Sequence, residues 1–143
     1  MQKARSSLSK YSEWDLIDVV MFPEISFSRY CLDKQQALEF SEKAGEGQNY
    51  LFAKEIALKI NSYVIVGYVE KEGDKLYNSA IVIDRSGKVI GNHRKKLLYE
   101  SDKKWCSEGD SMTDVSIINT DGEILRMGVA ICMDINYKDF VNE

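Results

Sequence analysis

The sequence predicts an α/β protein whose sheet mixes strand directions. Three observations carry that expectation. A helical period runs over 48–60, short β-forming apolar runs flank it, and two later segments read as hairpins closed by glycine-containing turns. The order strand, helix, strand, hairpin, long loop, hairpin combines a crossover with antiparallel pairing.

Each element follows from its residues. Positions 1–10 are polar and helix-like, and they lack a hydrophobic signal core. Positions 16–22 form a short apolar run ending at Pro23-Glu24, as expected of a buried strand. Over 48–60, Phe52, Ala53, Ile56, Ala57 and Ile60 recur at helical intervals, with Lys54, Glu55 and Lys59 on the opposite face. Asn61-Ser62 should end that helix, and 63–68 the next strand. Strands at 78–84 and 88–93 flank the turn Asp84-Arg85-Ser86-Gly87. Strands at 115–119 and 123–132 flank Asn119-Thr120-Asp121-Gly122. The continuous apolar run Val129-Ala130-Ile131 suits a strand buried on both faces. One proline and no Ser/Gly-rich linker leave no internal boundary, so 1–143 reads as one domain. A sheet this apolar needs cover, yet only one long helix is evident, so the domain is expected to be partial, incomplete at both ends.

Composition narrows the function. A net charge of −4 gives no basic face for nucleic acid, although His93, Arg94, Lys95 and Lys96 cluster, either as a solvated loop or as a local binding patch. No apolar run approaches the ~18 residues of a membrane span, and the default expectation is a cytoplasmic protein. Three cysteines without CxxC spacing argue against a disulfide framework and a zinc site, and a single histidine argues against a His-based metal centre. No cofactor or metal is expected.

Three reactive side chains occupy equivalent places. Glu24 follows the first strand, Lys95 follows the strand ending at His93, and Cys132 closes the strand ending at Ile131. Ligands in open α/β sheets bind beyond the carboxyl ends of strands, so neighbouring strands would bring an acid, a cation and a thiol to one rim. A carboxylate can take the proton of an attacking thiol, and an ammonium can stabilise the resulting oxyanion. Singly, each has a plain structural counterpart: a core cysteine, a Pro-Glu turn, a basic loop. Together, in order and with their flanking residues, they say more.

Phe22-Pro23-Glu24 with Tyr30, Asn78-Ser79-Ala80 followed by His93-Arg94-Lys95-Lys96-Leu97-Leu98, and Gly128-Val129-Ala130-Ile131-Cys132-Met133-Asp134 resemble the three motifs of the nitrilase (carbon–nitrogen hydrolase) superfamily, in the family's order. The resemblance implies a four-layer α-β-β-α sandwich. It implies Glu24 as general base, Lys95 as oxyanion-stabilising lysine, Cys132 as nucleophile and the Met133 backbone N–H as part of the oxyanion hole. Members often use a second acid after the lysine; Glu100 and Asp102 both stand near, and either could serve.

The stretch 94–102 followed by Trp105-Cys106, and the stretch from Ile131 to Phe140, are similar to the eukaryotic protein N-terminal amidases. Those enzymes deamidate N-terminal Asn and Gln in the N-degron pathway. The proline of that second motif is absent here. The resemblance implies protein or peptide N-termini as substrate and, for a complete chain, a homodimer. A substrate α-ammonium calls for a carboxylate: Asp134, Glu100 or Asp102. Asp134 could equally bind backbone N–H groups in the turn after its strand, and Trp105 could line the substrate channel or pack its loop. The rival readings are a nitrilase-type amidase for a small ω-amide or ureido compound, and a non-catalytic fragment.

Overall fold

The computed structural model describes residues 1–10, 17–30, 32–136 and 138. Helix α1 (Gln2–Leu8) precedes strand β1 (Val19–Met21). Helices α2 (Lys34–Phe40) and α3 (Gln48–Ile60) lead to β2 (Tyr63–Glu72), β3 (Lys75–Ile83) and β4 (Val89–Arg94). A short 3-10 turn at Asp102–Lys104 interrupts the next loop. Strands β5 (Thr113–Ile118) and β6 (Ile124–Val129) follow, then a second 3-10 turn, Cys132–Asn136. Leu16, Cys31, Tyr137, Asp139 and Phe140, on which some sequence expectations fall, lie outside the described residues.

The strands make two sheets. The first has the order β1-β2-β3-β4, and the second is the hairpin β5-β6. β1 runs parallel to β2 (Val19 opposite Tyr63), while β2–β3 and β3–β4 are antiparallel. β1 and β4 therefore point the same way, and their carboxyl ends share one end of the sheet.

Side-chain alternation explains the layers. Val64, Val66 and Tyr68 of β2, with Ile81 and Ile83 of β3, meet Phe52, Ala53, Ile56, Ala57 and Ile60 of α3. Burying a side chain such as Phe52 contributes about 1.5–3 kcal/mol. The opposite face presents Tyr63, Ile65, Ala80 and Val82 to Val115, Ile117 and Val129 of the second sheet and to Ile131 just after it. The two sheets pack so closely that a Cβ on Gly91 would stand 2.7 Å from Val115 Cγ1. This α-β-β arrangement agrees with the nitrilase-type sandwich implied by the motifs.

α3 starts where Glu42 accepts from the N–H groups of Gln48 and Asn49, and ends at Asn61 in the left-handed conformation (φ 50°). That helix and both turns, at Asp84–Gly87 and Asn119–Gly122, lie where the residues predict. Gly87 N–H bonds the Asp84 carbonyl, and Gly122 N–H bonds that of Asn119.

Two expectations need correction, and one helix is additional to them. β6 is not buried on both faces: Ile124, Arg126 and Gly128 are exposed, as are Asp114, Ser116 and Ile118 beside them on the outer face, because no layer among the described residues covers it. The strand ends at Val129, not at Cys132. Helix α2 was not foreseen, although Asp33 and Gln36 form a reciprocal capping box at its start. No helix of the described residues is long and apolar enough to cross a membrane, and among them no group of three or more His, Cys, Asp or Glu could hold a metal ion.

Candidate active site

Glu24 and Lys95 come from opposite edges of the first sheet, since β1 and β4 are separated by β2 and β3. The expectation of neighbouring strands therefore fails, and a different device joins them. The chain leaving β1 turns across the face of β2 at Gly67. A Cβ there would stand 2.7 Å from the Pro23 carbonyl oxygen, 2.8 Å from Ile25 N and 2.9 Å from Glu24 Cα. Ser26 N–H bonds the Gly67 carbonyl, and Ile25 takes a positive φ of 48°, unusual for a β-branched residue. This crossing carries Glu24 over β2 to the side chains of β3 and β4.

There Glu24 Oε1 accepts from Lys95 Nζ at 2.7 Å and from Asn78 Nδ2 at 2.7 Å. Lys95 is wholly buried and donates also to Asp102 Oδ2 at 2.6 Å. Burial would pull its ammonium down, but the hydrogen bonds to Asp102 and Glu24 outweigh it and hold Lys95 above the ordinary lysine range. Lys95 N–H bonds the Asn78 carbonyl, so Asn78 of β3 holds both the lysine's backbone and the Glu24 carboxylate. Between the two acids weighed for the second position, Asp102 is the one beside the lysine. Glu100 is exposed and pairs with Lys103 instead.

Cys132 arrives from the second sheet, three residues beyond the end of β6, with φ 50° and an exposed side chain. It lines a cavity of about 540 Å³ that also touches Glu24, Gly67, Ala80 and Ile131. The Tyr30 hydroxyl is pushed up chiefly by the Glu24 carboxylate, against an opposing effect of Lys95. Cys106 is a different kind of thiol: burial and the nearby Asp102 push it up to about 12, which makes it a poor nucleophile.

Asn78, which the sequence offered only as part of a motif, is thus a direct partner of Glu24. The three acids offered for a substrate amine have other engagements. Asp134 is fully buried, with Oδ1 accepting from Lys96 N and Leu97 N and Oδ2 from Ile131 N and His93 Nε2. It takes the turn-stabilising alternative. Asp102 serves Lys95, and Glu100 serves Lys103. Trp105 packs among Ile25, Leu32, Ala37, Val69 and Leu76, so it anchors its loop in the core.

A two-sheet α/β framework with an acid, a lysine and a thiol drawn to one side defines a nitrilase-type fold. The chain belongs to the carbon–nitrogen hydrolase family, whose model matches residues 2–142. It is 31% identical over 140 residues to the protein N-terminal amidase of Saccharomyces cerevisiae, covering 87% of this chain and 31% of that protein. It is 29% identical over 144 residues to the protein N-terminal amidase of Schizosaccharomyces pombe, covering 95% and 49%. A nitrilase of Pyrococcus abyssi is 32% identical over 117 residues, covering 81% and 43%. The crystal structure of N-terminal amidase with an Asn-Glu-Ala peptide superposes with a TM-score of 0.80 at 26% identity, over 92% of this chain and 34% of that one. The same enzyme with a Gln-Gly peptide gives 0.80 at 28%. The chain thus spans less than half the length of these relatives.

Proposed function

We propose that this chain carries the catalytic centre of a thiol amidohydrolase that converts N-terminal Asn or Gln of proteins to the acid. The observation that carries the reading is the buried Lys95 ammonium bonded to Glu24, whose cavity also takes in Cys132. The matching relatives named as protein N-terminal amidases support the substrate class.

Glu24 accepts the Cys132 proton as the sulfur attacks the side-chain amide carbon. Lys95 and the Met133 backbone N–H stabilise the oxyanion. The proton held by Glu24 passes to the leaving nitrogen, the C–N bond breaks, and ammonia departs from a thioester. Water then gives a proton to Glu24 and attacks the thioester, releasing the acid and returning the proton to the thiol. Asp102 holds the far side of the Lys95 ammonium throughout.

Peptides beginning with Asn or Gln should release ammonia and gain one dalton, and their N-acetylated forms should not. Equal rates for free and acetylated peptides would reduce the reading to a general amidase. Preferential turnover of a small ω-amide or ureido compound would replace it.

A further inference from the structure

We propose that His93 and Asp134 are positioning residues, forming a buried clasp that holds the Cys132 turn in register with the end of the Lys95 strand. The kinetic part of the test rests on the amidase reading; the clasp itself does not.

Both side chains have no exposed surface. An imidazole and a carboxylate withdrawn from water are costly unless their bonds are well made, so their placement needs a reason. The bonding pattern supplies one. Asp134 Oδ1 accepts from Lys96 N at 2.9 Å and Leu97 N at 2.8 Å, the backbone directly after Lys95. Oδ2 accepts from Ile131 N at 2.9 Å, directly before Cys132, and from His93 Nε2 at 2.9 Å. A single carboxylate therefore joins the backbones next to Lys95 and Cys132, which follow β4 and β6 of different sheets.

The turn it closes is a strained one. Asp134 N–H bonds the Ile131 carbonyl at 3.1 Å, around a cysteine in the left-handed conformation at φ 50°. Burial opposes ionisation of Asp134, but hydrogen bonds from His93 and from the Leu97 and Ile131 N–H groups prevail and hold its carboxyl below the usual range. An ionised carboxylate can only accept, so His93 carries its proton on Nε2. His93 Nδ1 has no hydrogen-bond partner among the described residues, which leaves the bond to Asp134 as the ring's polar engagement.

Asp134→Asn would turn an N–H group towards two of these four donors. His93→Leu removes the Nε2 donor, whereas His93→Gln can present an amide N–H at nearly the same place. Two readouts apply: the alkylation rate of Cys132 by iodoacetamide, followed by mass spectrometry on the peptide containing it, and kcat and KM on an Asn-initiated peptide. In Asp134→Asn and His93→Leu, alkylation should slow roughly tenfold and kcat fall by up to about 10²-fold, with KM within about twofold, because the thiol loses its alignment with Glu24. His93→Gln should stay near the unaltered protein. If the unaltered chain alkylates normally but releases no ammonia, the amidase reading fails while the alkylation order still decides the clasp. Unchanged alkylation in all variants, or Gln no better than Leu at equal thermal stability, overturns it. Should Asp134→Asn not fold, the two His93 variants decide alone.

Discussion

The Lys95 ammonium lies 2.7 Å from the Glu24 carboxylate and donates in the same geometry to Asp102, so one buried cation holds two acids together. Lys95→Ala would leave both carboxylates facing each other without it. Loss of one partner from a buried ionic cluster costs roughly 3–5 kcal/mol, and loss of one oxyanion donor about 10²–10³ in turnover. Urea unfolding and ammonia release measure the two. An unchanged unfolding midpoint would show that the cluster is not under the strain its charges imply.

Glu24→Gln separates chemistry from architecture. Its amide oxygen can still accept from Lys95 and Asn78, so folding should be preserved, while the base is gone. Turnover should be lost together with that of Cys132→Ser, whose hydroxyl is a weaker nucleophile beside the same acid. Circular dichroism checks the first statement and ammonia release the second. Normal turnover by either variant would place the reaction elsewhere.

Gly67→Ala tests the crossing. The added methyl meets backbone atoms of Pro23, Glu24 and Ile25 inside 3.0 Å, and backbone cannot rotate away as a side chain can. Overpacking of this kind typically costs about 1–3 kcal/mol. Turnover should fall as Glu24 is lifted from Lys95 and Asn78. Comparing calorimetric stability with activity shows whether the segment shifts as a unit.

Glu70 sets a pH dependence. Its carboxylate is 1% exposed and accepts from Arg94, Ser79 Oγ and Asn92 Nδ2. Burial raises its pKa, but the bonds from Arg94, Ser79 and Asn92 outweigh it and set the group below the usual glutamate range. A depressed folded-state pKa contributes stability that is present above the unfolded value, about pH 4.3, and is lost as pH falls through the folded one. Glu70→Gln should therefore be less stable at neutral pH, by on the order of 2 kcal/mol, with the gap closing in acid. Urea titrations at several pH values measure the gap; a constant difference from pH 7 to pH 3 would contradict the assignment.

Glu70 also explains what could not be read from the sequence. The sequence places this strand at 63–68, yet β2 continues to Glu72, through Glu70, Lys71 and Glu72, which break the apolar pattern. Its pairing partners make the difference: Ser79 from β3 and Asn92 and Arg94 from β4 satisfy a charge that local propensity counts against a strand. The same holds at the site. That Glu24 would meet Lys95 and share a cavity with Cys132 was foreshadowed by their positions after apolar runs and within the three motifs. The roles of Asn78 and Asp134 were not, since they depend on which backbones meet in space. The core neighbours of Trp105 were not legible either, because they come from the chain leaving β1, helix α2 and strands β2 and β3. The acid beside Lys95 was one of two on a loop whose 3-10 turn brings Asp102 inward and leaves Glu100 in water.

The parallel pairing of β1 with β2 also bears on how this molecule assembles. β2, β3 and β4 are joined by short turns, so their ladders form between residues close along the chain and need little loop closure. β1 must return from far upstream, with α2 and α3 lying between it and its partner. Contacts of that range form slowly, so the meander should nucleate first and the segment bearing Glu24 dock late. Asn78 and Lys95 would then wait in a nearly finished sheet for their acid. Substitutions at Val19–Met21 should mainly speed unfolding and leave the folding rate almost unchanged, whereas substitutions at Ile81 or Val66 should slow folding itself.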